Sequence, residues 1–368
     1  MHIYIHVPFC ARRCSYCDFA IAVRRETPDA QFVDAISREW RGWIAGQDSA
    51  AADPIDTLYF GGGTPSRLEP SSIARLIQLV GSDRVLAPDA EVTLEANPDD
   101  VTPERAVAWR AAGVNRVSLG VQSHDSGVLE WMHRTHRAEQ VPGAVEALRA
   151  AGIANISVDL IFALPSVLQR HWNDDLERTL GLGPMHISLY GLTVEPHTAL
   201  SRWTERGSTI TAPDERYAEE YLEAHERLAA AGFEHYEVSN AGRPGFRSRH
   251  NSMYWGGADY LGLGPSAHSL ERGVRRWNVR EWAEYQARSR RGDSVAGGSE
   301  LLGDAARALE RRYLGLRTLS GLAAAEVAQD LRDAWVREGW AVLAEERVRL
   351  TPEGWLRLDA LVAAAPHS

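Results

Sequence analysis

The sequence predicts an α/β fold, a partial (β/α) barrel followed by a smaller C-terminal α+β domain of winged-helix-like form. Three observations predict it. Short β-type runs alternate with amphipathic helical stretches through the first half of the chain, the chemically unusual residues fall where those runs end, and the alternation stops near Glu195. Alternation of this kind implies βα units and a parallel sheet. Six units in series suit a barrel, although an open doubly wound sheet shares the periodicity.

The runs occupy residues 3–7, 57–60, 92–95, 116–119, 156–161 and 187–190. Between the first two, Phe32, Ile36, Trp40 and Trp43 recur at helical spacing. Ile73, Leu76, Ile77 and Val80 do the same in the next interval, as do Val141, Ala144, Val145 and Leu148, and then Trp172, Leu176 and Leu180. Beyond Glu195 a helix with Tyr217, Tyr221, His225 and Leu228 on one face is expected to close at Gly232. From about Glu300 two helical patterns precede a hairpin over 340–350 that turns near Glu345, and Thr351 caps a last helix with Pro352 at its first position. The expected organisation is a barrel over 1–195, an extension over 196–295 and the winged-helix-like domain over 296–368. The longer helix of that last domain carries Glu326, Asp330, Asp333 and Glu338 against Arg332 and Arg337, which disfavours DNA reading.

The chain has 368 residues, 44% hydrophobic and 24% charged, which suits a soluble globular protein. Its formal charge of -10 argues against broad capture of nucleic acid. The opening MHIYIHVPFC has neither the basic region nor the long apolar core of a signal peptide, so a cytoplasmic location is expected. No apolar run is long enough to span a membrane, and no integral membrane segment is expected. Cysteine is used three times, at Cys10, Cys14 and Cys17. An odd number so closely spaced is wrong for a disulfide framework and right for a metal site in a reducing compartment.

In a barrel, reactive groups gather where strands end and loops begin. The first run ends in the cysteines, the second in Gly61-Gly62-Gly63-Thr64-Pro65, the third in Glu95-Ala96-Asn97-Pro98, and the fourth in Gly120-Val121-Gln122. The fifth carries Asp159 into Leu164-Pro165. Three soft thiolates suit zinc or an iron–sulfur cluster. Structural zinc wants four ligands, and His6 is the alternative fourth. A cubane held by three cysteines leaves one iron open to a small molecule.

This C-x-x-x-C-x-x-C spacing at the end of a first strand resembles that of the radical S-adenosylmethionine superfamily. The resemblance implies a 4Fe-4S cluster on Cys10, Cys14 and Cys17, with S-adenosylmethionine chelating the fourth iron. An electron from the cluster would then cleave the sulfonium to a 5′-deoxyadenosyl radical. It also implies that the stretch holding Gly62, Gly63 and Thr64 hydrogen-bonds the methionine amine. Glu95, Gln122, Arg134 and Asp159 match positions that bind the carboxylate, ribose and adenine side, and Tyr4 and Tyr16 are counted with them as cofactor-binding. No residue is assigned a catalytic role.

Over nearly its whole length the chain is similar to the oxygen-independent coproporphyrinogen III oxidase group. The matching stretches are Tyr4-Ile5-His6-Val7-Pro8-Phe9-Cys10, Tyr59-Phe60-Gly61-Gly62-Gly63-Thr64-Pro65, Gly120-Val121-Gln122-Ser123, Asp159-Leu160-Ile161 and Leu261-Gly262-Leu263-Gly264-Pro265-Ser266-Ala267. The oxidases carry a further cysteine two residues past the third ligand, where this chain has Phe19. That Phe, with His250-Asn251-x-x-Tyr254-Trp255, resembles the HemW-like haem-chaperone branch, which implies haem and haem-accepting proteins, respiratory ones among them, as partners. An electron donor such as a flavodoxin or ferredoxin is implied too, and a homodimer is left open. The stretch Phe162-Ala163-Leu164-Pro165 departs from the pattern, since glycine commonly precedes that Leu-Pro pair.

Read from its own residues, the 196–295 segment offers haem an imidazole at His250. Tyr254 and Trp255 add flat apolar faces, and Arg243, Arg247 and Arg249 could pair with propionates. Two functions follow. One is a haem carrier governed by cluster and S-adenosylmethionine, the other a radical enzyme of the coproporphyrinogen oxidase type.

Overall fold

A computed structural model describes residues 1–47 and 53–365. Strand β1 (His2–Val7) begins the chain, and the two-residue strands β2 (Phe9–Cys10) and β3 (Ala22–Val23) follow it. The next five runs become β4 (Ile55–Gly62), β5 (Leu86–Ala96), β6 (Arg116–Gln122), β7 (Asn155–Phe162) and β8 (His186–Gly191). β1, β4, β5, β6, β7 and β8 pair in that order, all parallel. The helices between them are α1 (Asp29–Ala45), α2 (Pro70–Asp83), α3 (Pro103–Ala112), the short α4 (Ser126–Trp131), α5 (Gln140–Ala150) and α6 (Trp172–Gly181). The expected partial barrel is therefore present.

Alternation along β1 shows how the sheet divides its faces. Ile3, Ile5 and Val7 are fully buried in the apolar cluster that holds Phe32 and Ile36 of α1. The alternate residues meet polar partners on the inner face, His2 hydrogen-bonding Thr57 at 3.0 Å and Tyr4 stacking on Tyr59. Helix ends follow local chemistry. For α3, Thr102 accepts the Arg105 N–H at 3.2 Å, Pro103 takes the first position, and Gly113 closes the helix at φ 109°.

After α7 (Ala199–Glu205) and α8 (Asp214–Ala230), strands β9 (Glu234–Glu237) and β10 (Asn240–Gly242) extend the sheet antiparallel beyond β8. Helix α9 (Arg249–Trp255) then leads to β11 (Leu261–Leu263), which returns to pair in parallel with β1. The nine-stranded sheet runs from β11 at one edge to β9 at the other and is open between them.

A small antiparallel sheet of β12 (His268–Glu271), β13 (Val274–Asn278) and β14 (Ala296–Leu301) had no counterpart in the periodicity. Helix α10 (Trp282–Arg291) lies within it in sequence. The C-terminal part holds α11 (Asp304–Arg317), β15 (Leu322–Ala323), α12 (Gln329–Arg337), β16 (Ala341–Ala344) and β17 (Arg347–Leu350). Its hairpin turns on Glu345 and Glu346, both at positive φ, where the sequence placed it. Thr351 caps the following turn as expected, but the last helix is broken into α13 (Pro352–Trp355) and α14 (Leu358–Ala364). No helix among the described residues is long and apolar enough to cross a membrane.

Candidate functional site

The parallel pairing of β2 with β3 ties off a loop that carries all three thiols. Ala22 N–H donates to the Pro8 carbonyl at 2.7 Å, Arg24 N–H to that of Cys10 at 2.9 Å, and Cys17 N–H to that of Cys14 at 3.4 Å. The loop faces a cavity of about 450 Å³ at the C-terminal ends of β4 to β8. Eleven of the thirteen expected residues line it: Cys10, Cys14, Cys17, Tyr16, Gly62, Gly63, Thr64, Glu95, Gln122, Arg134 and Asp159. Tyr4 and His250 do not.

Carboxylates and a guanidinium share the cavity. Glu95 accepts the Tyr59 hydroxyl at 2.7 Å on one oxygen and the Gly62 N–H at 3.1 Å on the other. Burial pushes its pKa up to about 7, and Asp159 adds to the shift. Burial also raises Asp159, whose carboxylate accepts from Ser118 at 3.0 and 3.2 Å. Arg134 donates to the Gly120 carbonyl at 2.7 Å and to Asn97 at 2.5 Å, and its other terminal nitrogen lies 3.7 Å from the Cys14 sulfur. Burial opposes its charge, but Tyr16 and Cys14 more than offset this and its pKa is raised.

Burial raises Cys10 and pushes Cys17 up to about 11, so these thiols hold their protons until a metal displaces them. The Thr64 hydroxyl donates to the Cys10 sulfur at 3.4 Å. Gly62 sits at φ 112° with the His6 ring 2.6 Å from where a Cβ would stand. Gly63 has the Pro8 carbonyl in the same position, at 2.8 Å. Gln122, at φ 68°, ends β6 with its side-chain oxygen buried and unpartnered. Three thiols on one loop, a cradle with no room for a Cβ, and an orphaned acceptor between a carboxylate and a guanidinium fit a cluster carrying a small zwitterionic ligand. The zinc alternative is disfavoured because the Ala20 carbonyl accepts from His6 Nε2 at 2.9 Å and the Tyr4 hydroxyl engages Nδ1 at 3.1 Å.

Asn97, Ser118, Tyr59 and Tyr190 belong to the site and were not singled out. Tyr59 lies behind its wall, and the other three line it. Asn97 and Tyr190 carried the signal of position beside a strand's C-terminal end, whereas Ser118 and Tyr59 lie within β6 and β4.

His250 lies elsewhere. Its ring is 1% exposed, with Thr57 Oγ1 at 2.7 Å from Nδ1 and the Tyr254 hydroxyl at 3.0 Å from Nε2. Burial lowers its pKa to about 3. Iron could reach this imidazole only by displacing one of those partners. Of the three arginines expected nearby, Arg249 pairs with Asp89 at 3.1 Å and Arg243 stacks on Phe233. Arg247 lines a second cavity, of about 540 Å³, together with Trp255.

The Radical SAM superfamily profile matches residues 4–179. The haem chaperone HemW of Synechocystis is 38% identical over 88% of this chain and 79% of its own length. That of Mycobacterium tuberculosis is 37% identical over 98% of this chain and 93% of its own. The chain belongs to the HemW family of radical SAM proteins. Among solved structures, the coproporphyrinogen III oxidase HemN of Escherichia coli superposes with a TM-score of 0.81, covering 98% of this chain and 88% of that one. At 22% identity that likeness shows the fold alone, whereas the HemW relationship holds in sequence across both the barrel and the C-terminal part.

Proposed function

We propose that the protein is a cytoplasmic haem carrier that binds haem and passes it to haem-requiring acceptors, with a 4Fe-4S cluster and S-adenosylmethionine as resident cofactors. The observation that carries the cofactor half is the meeting of three thiols, Glu95 and Arg134 around one cavity. Cys10, Cys14 and Cys17 would hold the cluster. Glu95 suits the methionine amine, Arg134 beside Cys14 suits its carboxylate, and Asp159 with Gln122 suits ribose hydroxyls. The bound cofactors supply one-electron chemistry at the sulfonium. The protein's own residues orient the ligand and keep the thiols out of bulk water, and a flavodoxin- or ferredoxin-type donor would supply the electron.

For haem, the reading favours the Trp255 side of α9 over His250. The cavity there has Leu302 and Leu322 as apolar walls and Arg247, Arg307 and Arg311 at its edge, and the Trp255 indole N–H is buried without a partner. Phe19, 59% exposed beside the cluster loop, stands where the oxidases have a cysteine and supports the carrier over decarboxylation. The radical-enzyme reading rests on the complete cofactor cavity alone.

The test is anaerobic reconstitution followed by a haem titration and an assay for 5′-deoxyadenosine with coproporphyrinogen III. Haem binding without substrate-dependent turnover is expected. Decarboxylation of coproporphyrinogen would defeat the carrier assignment, and one zinc per chain in place of iron and sulfide would defeat the cluster.

A further inference from the structure

His250 sits under the wall of the cofactor cavity. Its ring stacks on Tyr59 at 4.9 Å between centroids and 25° between planes. Tyr4 completes a triangular aromatic cluster, 6.0 Å from Tyr59 and 6.4 Å from His250 between centroids. A Cβ on Gly61 would lie 2.8 Å from the rings of both tyrosines, so the side-chain space of that residue is already filled by them. The Tyr59 hydroxyl in turn holds Glu95 at 2.7 Å. A contiguous set of contacts therefore joins α9 to the carboxylate in the cavity.

We propose that His250 is a positioning residue of the S-adenosylmethionine pocket, acting through the Tyr59 phenol that holds Glu95. This rests on the reading of that cavity as the S-adenosylmethionine site. The imidazole lies closer to the phenol than Tyr4 does, 4.9 Å against 6.0 Å between centroids, and limits how far that ring can turn about its side-chain bonds. Thr57 and Tyr254 grip both imidazole nitrogens and set its plane. Helix α9 does not need the imidazole to stay in place. Ser248 caps the Asn251 N–H at 3.2 Å, and the Glu91 carboxylate takes the N–H groups of Arg249 and His250 at 3.1 and 3.0 Å. His250→Ala thus removes the plate and leaves the helix anchored.

The experiment is calorimetric titration of S-adenosylmethionine into the anaerobically reconstituted full chain, with iron and sulfide measured for each variant. Glu95→Gln, Tyr59→Phe and His250→Ala should each weaken binding about tenfold, the scale of one hydrogen bond to a charged group. The double variant Tyr59→Phe/His250→Ala should bind no more weakly than Tyr59→Phe alone, because His250 acts only through that hydroxyl. His250→Phe keeps a flat face and should bind within a few-fold of wild type, which a general loss of folding would not allow. Wild-type affinity in His250→Ala, or losses that multiply in the double variant, would overturn the proposal. Unchanged affinity in Glu95→Gln would instead remove the pocket reading beneath it. Loss of the haem Soret band in His250→Ala with S-adenosylmethionine affinity intact would assign the imidazole to iron and overturn the positioning role.

Discussion

Gly63 lies so close to Cys10 that a Cβ on it would stand 3.0 Å from the thiol sulfur. The glycine triplet is therefore part of the metal loop's packing as well as the wall of the ligand cavity. Gly63→Ala should lower the iron and sulfide bound after anaerobic reconstitution, because the sulfur must move and the Pro8 carbonyl on the other side cannot. Circular dichroism should stay native. A full complement of iron in this variant would show that the loop relaxes freely.

Arg134 bridges the Gly120 carbonyl, Asn97 and the Cys14 sulfur with one guanidinium. Arg134→Ala should weaken S-adenosylmethionine about tenfold to hundredfold, the loss of a charge-assisted pair worth about 1.5–3 kcal/mol. Arg134→Lys should fall between, since it keeps the charge and loses the fork. Equilibrium titration decides, and equal affinity in all three proteins would place the ligand's carboxylate elsewhere.

Glu95 gives the pocket a pH dependence. Its pKa in the free protein is pushed up to about 7 by burial, so below that value it is largely neutral. An ammonium or amine donor gains most from the ionised form, so affinity should rise as pH climbs through about 7 and flatten above it. Glu95→Gln should remove the slope at lower overall affinity. A wild-type affinity that is flat across this window, or that falls with rising pH, would contradict the assignment of Glu95.

Ala163 occupies the position before Leu164-Pro165, and its φ is 56°. A left-handed L-residue costs about 1–2 kcal/mol, glycine forfeits about 0.4–1 kcal/mol of chain entropy and the buried Ala163 methyl contributes about 0.8 kcal/mol, so the terms nearly cancel and Ala163→Gly should shift stability by less than about 1 kcal/mol. The Ala163 N–H bond to Glu220, at 2.7 Å, is kept. Urea unfolding should show a midpoint close to that of the wild type with the same slope. A lower midpoint would mean that the methyl contributes more packing than strain.

In the haem-carrier reading proposed above, Trp255 lines the haem cavity with Arg247 and Arg307, its ring also carrying the Arg317 guanidinium 4.3 Å from its centroid. Trp255→Ala should weaken haem uptake at least about tenfold, the scale of losing one large apolar contact of about 1.5–3 kcal/mol. Titration at the Soret band checks this, and an unchanged curve would move haem away from α9.

Much of the barrel was legible because its strands are short runs of Ile, Val and Leu separated by helices with a clear apolar stripe. The cofactor cavity was legible for a related reason, since a parallel sheet gathers its strand ends and most of the eleven expected residues stand near them, with Arg134 reaching in from beyond α4. Tyr4 and His250 were harder. A strand's period of two sends Tyr4 to the inner face below the cavity, and nothing in a linear motif tells an imidazole that reaches solvent from one that fills a stack. The antiparallel sheet of β12, β13 and β14 was missed because its strands bury almost none of their residues fully, which leaves little hydrophobic pattern to read.

The return of β11 to pair with β1 has a consequence for how the chain is made. Ile3, Tyr4 and Ile5 find their neighbours on one side only in Leu261, Gly262 and Leu263, so the strand that launches the cysteine loop stays an unprotected edge until most of the polypeptide has left the ribosome. The three thiols therefore precede in synthesis the strand that completes the seat of β1. Cluster delivery to a nascent chain would meet an unfinished nest, because the seam beneath it is closed only by a contact of long sequence separation.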